Sequence, residues 1–249
     1  MNRIKIWTNI FYSFFKVFFG SKNAVFLDSK KTIEKTTNSR ISIVRFGDGE
    51  FNLLNGRDVH YQKWSIELEN DLKEIIKQYT DEKVKPNYFL CMPKDFLECN
   101  STKLLKKKEY FLSWPIPRRT FIENYDYSSL YGDSFLFAGE NQELYKNIWK
   151  KTNTEHVVFV HNNSKYGELF QEKYKINTTN VIIPKKDSYE HREEILNDII
   201  KNIKNPSNDL VMVSAGPCAK ILVERLSREN IWAIDTGHCW DEPLNLIIK

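Results

Sequence analysis

The stretch "DLVMVSAGPCAKILVERLSRENIWAID", residues 209–235, decides the fold class. It contains an apolar run typical of a strand, a glycine turn, a segment typical of a helix and a second apolar run. Two strands joined through such a helix are parallel, with a right-handed crossover. Because the runs are apolar throughout rather than alternating, we expect both faces of these strands to be buried.

The same alternation of strand and helix patterns extends back to about residue 24, with no repeat and no low-complexity segment. Strands are predicted at 41–46, 88–92, 134–138, 156–161, 179–183, 209–214 and 231–235. Helices are predicted at 65–79, 101–112, 141–151, 164–175, 188–204 and 217–229. The sequence therefore predicts an α/β domain over residues 24–249, with a Rossmann-like, mainly parallel, doubly wound sheet flanked by helices.

The composition is that of an ordinary globular protein. Of the 249 residues, 41% are hydrophobic and 28% are charged. The net charge of +4 is too small to indicate nucleic-acid binding, and the lysine run at 106–108 is expected on a solvated face. The four cysteines lack metal-site spacing, and Cys91 and Cys218 are interpreted as buried thiols of a reducing compartment. We therefore expect a cytoplasmic protein.

The N-terminal segment, residues 1–23, is a separate amphipathic unit. Its basic start and apolar body resemble a signal peptide, but no small-residue cleavage site follows, and the apolar run at 4–19 is short for a spanning helix. Helical spacing places Trp7, Ile10, Phe11, Phe14, Phe15 and Phe18 on one face, and Lys5, Asn9, Ser13 and Lys16 on the other. This pattern predicts a helix lying on the inner face of the cell membrane through residues 4–19; the alternative is packing on the domain's own core or on a partner subunit.

Charged residues and glycines gather where the first predicted strand ends, in "SIVRFGDGEFNLL", residues 42–54. Asp48 and Glu50 can turn hard oxygen ligands toward one divalent cation. Gly47 and Gly49 let a phosphate approach the backbone closely, and the planar fork of Arg45 can neutralise phosphate charge. Taken alone, an Asp-x-Glu pair is more often solvent-facing or a helix N-cap than a metal site.

Similar clusters follow three later strands, at 161–165, 214–217 and 235–238. Because the carboxyl ends of parallel strands share one edge of the sheet, these loops are expected to meet. Gly216 and Pro217 open a helix whose N–H groups could hold an anion, although such a turn is also an everyday connection. Together the clusters indicate a phosphate-handling α/β enzyme.

Two long segments carry a family resemblance. "SIVRFGDGEFNLLNGRDVHYQKW", residues 42–64, resembles the opening signature of the GT-D-fold glycosyltransferases, bacterial enzymes of surface-glycan and adhesin glycosylation; Tyr61, Gln62 and Lys63 match its aromatic-Gln-Lys element. "VSAGPCAKILVERLSRENIWAIDTGH", residues 213–238, resembles the family's closing Gly-Pro-x-Ala helix and Ala-Ile-Asp-x-Gly-His ending. The resemblance covers roughly residues 40–240.

The resemblance implies transfer of a sugar from a nucleotide diphosphate sugar, typically UDP-linked, to a glycan acceptor. It makes Asp48 and Glu50 the Asp-x-Glu motif that holds Mn²⁺ or Mg²⁺, and it places Gln62 in the substrate site. A divalent ion stabilises the charge that the leaving diphosphate gains, and Arg45 with the helix start at Gly216 would supplement it. A lipid-linked glycan is one acceptor that would suit a membrane-bound helix.

The stereochemistry is left open. An inverting reaction needs a base for the acceptor hydroxyl, with His238, Asp235, Asp241 and Glu242 as the candidates, while a retaining one does not. Asp241 and Glu242 also stand where the family has acidic substrate-site residues, and Lys165 replaces an expected arginine as a phosphate cation. The chain is expected to be a free-standing transferase. Two other functions are compatible with the same residues, a metal-dependent nucleotide hydrolase and a non-catalytic subunit that binds glycan or a partner.

Overall fold

An eight-stranded sheet forms the centre of the molecule, in the order β1-β4-β3-β2-β8-β7-β5-β6. A computed structural model describes residues 3–150, 152–237 and 239. All pairings between these strands are parallel in the part of the chain it describes. The strands are β1 Val25–Phe26, β2 Ser42–Arg45, β3 Tyr88–Met92, β4 Leu130–Asp133, β5 His156–His161, β6 Asn177–Ile182, β7 Asp209–Val213 and β8 Ala233–Asp235.

Helices cover both faces of this sheet. They are α1 Arg3–Lys16, α2 Ser29–Ser39, α3 Asp48–Leu53, α4 Ile66–Thr80, α5 Lys94–Leu97, α6 Lys108–Ser113, α7 Pro115–Asn124, α8 Gln142–Tyr145, α9 Asn147–Lys150, α10 Lys165–Tyr174, α11 Arg192–Asn202 and α12 Cys218–Arg228. Short 3-10 helices span Ser101–Lys106, Gly139–Asn141 and Ser188–His191.

The sheet divides the apolar core into two layers. Val44 of β2 packs with α4 and α12 on one face, while its neighbour Ile43 packs with α2 and α9 on the other. Successive strand residues point to opposite faces, so a strand buried on both sides is apolar at every position. The predicted α/β class and doubly wound parallel sheet are confirmed, and Cys91 and Cys218 are buried free thiols as expected.

The predicted βαβ unit at residues 209–235 is present as β7, α12 and β8. The two strands are adjacent and parallel, with Val213 opposite Asp235. Gly216 has a φ of +56°, which lets the chain turn sharply from β7 into α12, and Pro217 caps the helix. This unit therefore places the ends of both strands beside the start of one helix.

The predicted strand at residues 134–138 is wrong. The strand in this region is β4, Leu130–Asp133, and residues 134–138 form turns. Within this run, Leu136 and Phe137 are buried in the second core layer, so the run fills the core without pairing in the sheet. The predicted helix at 101–112 is a 3-10 helix followed by α6, and that at 141–151 is the pair α8 and α9, with residue 151 outside the described residues. The sequence patterns did not indicate β1, α2, α3 or α7.

The N-terminal helix α1 packs against the domain. Ile10, Phe14 and Val17 are buried, and Phe14 joins a small aromatic cluster with Phe96 and Trp114. Ser13, which we expected on the polar outer face, is fully buried, and its hydroxyl donates to the carbonyl of Asn9 at 2.7 Å. Within the described residues, no helix combines the length and the apolar character needed to cross a bilayer.

Candidate active site

Three adjacent strands, β2, β8 and β7, bring the predicted charged residues together. Arg45 ends β2 and Asp235 ends β8, and Ser214 follows the last residue of β7. The ends of these strands lie at one edge of the sheet because all three run parallel. Helix α3 begins at Asp48, three residues after β2, and therefore starts at the same edge.

Glu50 is held at the first turn of α3. Gly47 is the N-cap, and its backbone N–H donates to Oε2 of Glu50 at 2.8 Å, the reciprocal bond of a capping box. The other oxygen, Oε1, lies 2.9 Å from the ammonium of Lys220. Glu50 is buried, so both of its carboxylate oxygens are engaged with protein groups inside the domain.

Lys220 links α12 to the end of β8 and to the first turn of α3. Its Nζ lies 2.9 Å from Oε1 of Glu50 and 3.0 Å from Oδ2 of Asp235, and donates to the carbonyl of Gly216 at 3.1 Å. All three charged side chains are buried. Burial alone would lower the pKa of Lys220, but the carboxylates of Asp235 and Glu50 raise it well above its ordinary value. Lys220 is therefore an ammonium at neutral pH.

Arg45 is fixed by groups at the ends of β8 and β4. Its Nε donates to the carbonyl of Asp235 at 2.7 Å, and Nη1 donates to the carbonyl of Ser134 at 2.9 Å. Nη2 lies 3.5 Å from Oδ1 of Asp235. Gly237 has a φ of +52°, and a Cβ at this residue would lie 2.1 Å from Nη2 of Arg45, so glycine is required where the guanidinium passes.

Asp48 is the half-buried carboxylate of the group. Its pKa is raised by burial and by the charge of Glu50. Hydrogen bonds from the backbone N–H groups of Gly49 and of Asp48 itself lower the pKa and oppose part of this rise. The cluster thus holds the cations Arg45 and Lys220 against three carboxylates, which leaves one net negative charge. A bound cation would relieve the repulsion that raises the pKa of Asp48.

Tyr61 lies over the glycines of the site. A Cβ on Gly49 would be 3.1 Å from the Tyr61 hydroxyl, and a Cβ on Gly216 would be 2.9 Å from Cε2 of the ring. Burial raises the pKa of Tyr61 to about 12, and the charge of Glu50 adds to the rise while Lys220 opposes it. The space that we predicted for a phosphate beside Gly49 and Gly216 is therefore occupied by an aromatic ring.

Gln62 fixes the loop that carries Tyr61. It is buried, its Oε1 accepts from the backbone N–H of Tyr189 at 3.2 Å, and its amide nitrogen donates to the carbonyl of Lys63 at 3.2 Å. Asp187 strengthens the same attachment by accepting from the backbone N–H of Lys63 at 2.7 Å. The side chain predicted to contact substrate is thus bonded to protein, and it positions Tyr61.

Lys165 lies apart from the charged cluster, and two N–H groups at the start of α12 are already bonded within the protein. Lys165 is exposed at the beginning of α10, after β5, and β5 lies three strand positions from β2, about 14 Å across the sheet. At α12, the N–H groups of Ala219 and Lys220 donate to the carbonyls of Gly216 and Pro217 at 3.1 and 3.2 Å. Neither N–H is available to an anion in this conformation.

The remaining predicted residues, His238, Asp241 and Glu242, lie outside the described residues. Within residues 3–150, 152–237 and 239, no group of three or more His, Cys, Asp or Glu side chains is arranged to hold a metal ion. Asp48 and Glu50 nevertheless supply the carboxylate oxygens that Mn²⁺ and Mg²⁺ prefer. The net negative charge of the cluster also fits a cation, with Asp48 as the principal ligand because Glu50 is engaged by Lys220 and Gly47.

A family model described as glycosyltransferase GT-D fold matches residues 43–243, most of the chain. The chain belongs to the GT-D glycosyltransferase family. The match begins in β2 and ends beyond β8, so it includes every strand end that contributes to the charged cluster. The resemblance stated from the two sequence signatures is confirmed.

Two streptococcal proteins are similar to this GT-D chain. Glycosyltransferase GlyD of Streptococcus pneumoniae serotype 4 is 27% identical over 228 residues, an alignment that covers 84% of this chain and 26% of the relative. The protein named Probable glycosyl transferase Gly, from Streptococcus gordonii, is 26% identical over 217 residues, with 79% of this chain and 29% of the relative covered. The chain therefore spans less than a third of the length of these relatives.

Solved structures share the GT-D fold. One, described as showing that the highly conserved domain of unknown function 1792 has a distinct glycosyltransferase fold, has a TM-score of 0.73 at 20% identity; it covers 96% of this chain and 84% of that one. Another, described as a new glycosyltransferase from Streptococcus sanguinis, has a TM-score of 0.71 at 21% identity, with coverages of 89% and 84%. These likenesses establish the shared fold.

Lys220 and Tyr61 are the site residues that sequence reasoning missed. The signal for Lys220 is weak: a charge in the first turn of a helix whose following residues, Ile221, Leu222 and Val223, are all apolar and buried. A lysine in such a place more often extends along the surface to reach water. Tyr61 belongs to the aromatic-Gln-Lys element, but nothing in the sequence indicates that its ring lies against both Gly49 and Gly216.

Proposed function

We propose that this chain is a glycosyltransferase that moves a sugar from a nucleotide diphosphate sugar, most simply a UDP-sugar, to a hydroxyl group of a glycan acceptor, with a divalent metal ion. The observation that carries the proposal is the charged cluster at the ends of β2 and β8, in a chain of the GT-D family. Crevices at the carboxyl ends of parallel strands are where such sheets bind nucleotides.

The charge of the cluster supports metal dependence. Arg45 and Lys220 are outnumbered by Asp48, Glu50 and Asp235, so the site by itself repels a diphosphate. A divalent ion held by Asp48 would bridge the protein and the diphosphate oxygens, and would stabilise the charge of the leaving group. This accounts for a carboxylate-rich site in an enzyme whose substrate is itself an anion.

Glu50, Lys220 and Asp235 act as positioning residues in this proposal. Glu50 ties the first turn of α3 to Lys220, so Asp48, two residues earlier on the same turn, is held at a fixed place. Asp235 fixes Arg45 from the other side through its carbonyl and its carboxylate. Rigid support of this kind is what keeps a metal ligand in its productive position.

Asp235 is a poor candidate for the base of an inverting reaction. It is fully buried; Oδ1 accepts from the N–H of Gly237 at 3.2 Å and faces Arg45, and Oδ2 lies beside Lys220. An acceptor hydroxyl must come within about 3 Å of a base. If the reaction inverts the sugar, the candidates are His238, Asp241 and Glu242.

The acceptor in this proposal is a hydroxyl group of a glycan, carried by a protein or a lipid. The two relatives bear glycosyltransferase names, and their alignments cover 84% and 79% of this chain. The same cluster is compatible with a nucleotide hydrolase and with a binding subunit. A hydrolase would turn over nucleotide substrates without an acceptor sugar, and a binding subunit would show no metal-dependent affinity for a nucleotide. The tests below distinguish both from a transferase.

Calorimetric titration of UDP, with GDP and CMP as comparators, tests the donor class. We expect UDP to bind in Mn²⁺ and not in EDTA, and Asp48→Asn to remove the metal-dependent part of the affinity. The matched control is Asp198→Asn. It removes an exposed carboxylate of α11, outside the charged cluster, and the variant should bind UDP like the wild type. If no nucleotide binds in any of these conditions, the transferase proposal is overturned and the binding subunit becomes the favoured function. Equal binding in Mn²⁺ and EDTA would overturn the metal's role.

A further inference from the structure

The N-terminal helix presents a continuous apolar face to solvent even though it is packed on the domain. Ile4, Trp7, Phe11, Phe15 and Phe19, here called the aromatic face, are between 45% and 71% exposed. Helical spacing of three or four residues puts Ile4, Trp7, Phe11 and Phe15 in one stripe of α1, and Phe19 is exposed just beyond the end of the helix. Helix α1 buries a different stripe, Ile10, Phe14 and Val17, against the domain. Phe11 also touches Phe111 of α6, with ring centroids 5.4 Å apart, yet it stays 49% exposed, so most of the aromatic face is left to solvent.

The unpaired charge around the aromatic face is mainly positive. Residues 1–27 contain no Asp or Glu, and they contain Arg3, Lys5, Lys16 and Lys22. Lys5 and Lys16 are exposed on the flank of the stripe. The exposed lysines at 106–108 lie where the 3-10 helix Ser101–Lys106 meets α6, beside the exposed acid Glu109. The other nearby acids are engaged: Asp95, Glu98 and Glu123 pair with Lys103, Lys94 and Arg119, and Asp126 binds Ser21 and the backbone N–H groups of residues 22–24.

The aromatic face is held in a fixed orientation. The hydroxyl of Ser101 donates to the carbonyl of Phe14 at 2.8 Å, and its backbone N–H donates to the carbonyl of Phe18 at 2.8 Å. Near the middle of α1, Nη1 of Arg119 donates to Oδ1 of Asn9 at 2.9 Å. Because α1 is bonded to the domain at its middle and at its C-terminal end, whatever binds its outer face also orients the domain.

The helix is docked at the edge of the sheet that carries the charged cluster. Phe96 and Trp114, which stack at 4.0 Å beneath α1, belong to the segment that follows the carboxyl end of β3. Phe135, which follows the carboxyl end of β4, contacts the same pair. Helix α7 lies between α1 and α3, since it contacts both. A surface that binds the aromatic face would therefore lie on the same side as the strand ends.

We propose that the aromatic face docks on an anionic lipid bilayer, with its rings at the level of the headgroups and Lys5 and Lys16 toward the lipid charge. Large aromatic side chains beside lysines are the composition that binds the interfacial region of a membrane. A second copy of this chain is the less favourable occupant, because the like charges of two N-terminal segments would face each other. The docking does not depend on the nature of the sugar donor.

Vesicle flotation with the full chain tests this inference. Vesicles of phosphatidylcholine alone and of phosphatidylcholine with phosphatidylglycerol are compared, and analytical ultracentrifugation gives the mass in solution. We expect binding to the anionic vesicles and a monomer in solution. The triple variant Trp7→Ser, Phe11→Ser, Phe15→Ser should lower the partition coefficient by about a hundredfold or more. Replacing Lys5 and Lys16 by Gln should lower it by about 30-fold on anionic vesicles only.

The control is Ile182→Ser with Ile200→Ser, two exposed apolar residues on β6 and α11, at the opposite end of the strand order. It should bind vesicles like the wild type. Binding that the triple variant leaves unchanged, or no binding to any vesicle, would overturn the inference. So would a wild-type dimer that the triple variant converts to a monomer. UDP titration of the triple variant separates the two proposals, since loss of docking with intact donor binding concerns the aromatic face alone.

Discussion

Substituting Lys220 by Met should destabilise the protein severely, because it removes the one ammonium between two buried carboxylates. Nζ of Lys220 lies 2.9 Å from Glu50 and 3.0 Å from Asp235. At an effective dielectric constant of about 20, each pair attracts by about 5–6 kcal/mol. The cost of taking the three ions out of water, several kcal/mol for each, offsets most of that attraction in the wild type.

In Lys220→Met the attraction is lost while the two carboxylates stay buried. We therefore expect the free energy of unfolding at pH 8 to fall by about 3–5 kcal/mol, the usual result of removing one partner of a buried ion pair. The pKa of Lys220 is raised in the folded state, so its contribution is complete below the unfolded value and is lost only as the pH rises through the folded value. Both pH 5 and pH 8 lie below this range, so the wild type keeps the ammonium at each.

The assay is urea unfolding at pH 5 and pH 8. The difference between wild type and Lys220→Met should be smaller at pH 5, where the variant can protonate one of the unpaired carboxylates. Adding Glu50→Gln to Lys220→Met should recover part of the loss. Lys201→Met, which breaks an exposed pair with Asp198, should cost no more than about 0.5 kcal/mol. A loss for Lys220→Met no larger than that control at pH 8 would refute a buried, ionised triad.

Two further substitutions test the supports of the site and of the N-terminal helix. Gly237→Ala should cost more stability than Gly56→Ala, although both glycines have positive φ, because only at Gly237 does a Cβ collide with Arg45. Backbone strain alone costs about 1–2 kcal/mol, so equal losses in urea unfolding would argue against the collision. Asp126→Asn should destabilise the protein near pH 7 and much less near pH 2. Burial would raise the pKa of Asp126, but hydrogen bonds from Ser21 and three backbone N–H groups lower it, so its contribution is present above the unfolded pKa and is lost as the pH falls through the folded one. A pH-independent difference in urea unfolding would contradict this.

The sequence predicted the fold well where burial and periodicity agree. The segment at 209–235 is apolar in its strands because both faces of β7 and β8 are covered, and the helix between them shows its spacing clearly. Prediction failed at 134–138, where an apolar run fills the core from a turn. It also missed β1, a strand of two residues, which is too short to show any alternation.

The candidate site was predicted only as a set of loops. Parallel topology correctly placed Arg45, Glu50 and Asp235 at one edge, but the pairing among them depends on Lys220, which is 170 residues from Glu50 along the chain. Periodicity carries no information on contacts at that separation. For the same reason, the sequence could not show that the glycines predicted to meet a phosphate instead make room for Tyr61.

The most direct test of the proposed activity is release of UDP from a panel of UDP-sugars. The wild-type chain, Asp48→Asn and the control Asp198→Asn are each assayed in Mn²⁺ and in EDTA, with and without a glycan acceptor. We predict that one UDP-sugar gives UDP release that requires Mn²⁺, increases with acceptor and falls by at least about a hundredfold in Asp48→Asn while the control is unchanged. UDP release at the same rate with and without the acceptor would indicate a hydrolase. No release from any UDP-sugar, or full activity in Asp48→Asn, would contradict the assignment of this edge of the sheet as a metal-assisted transferase site.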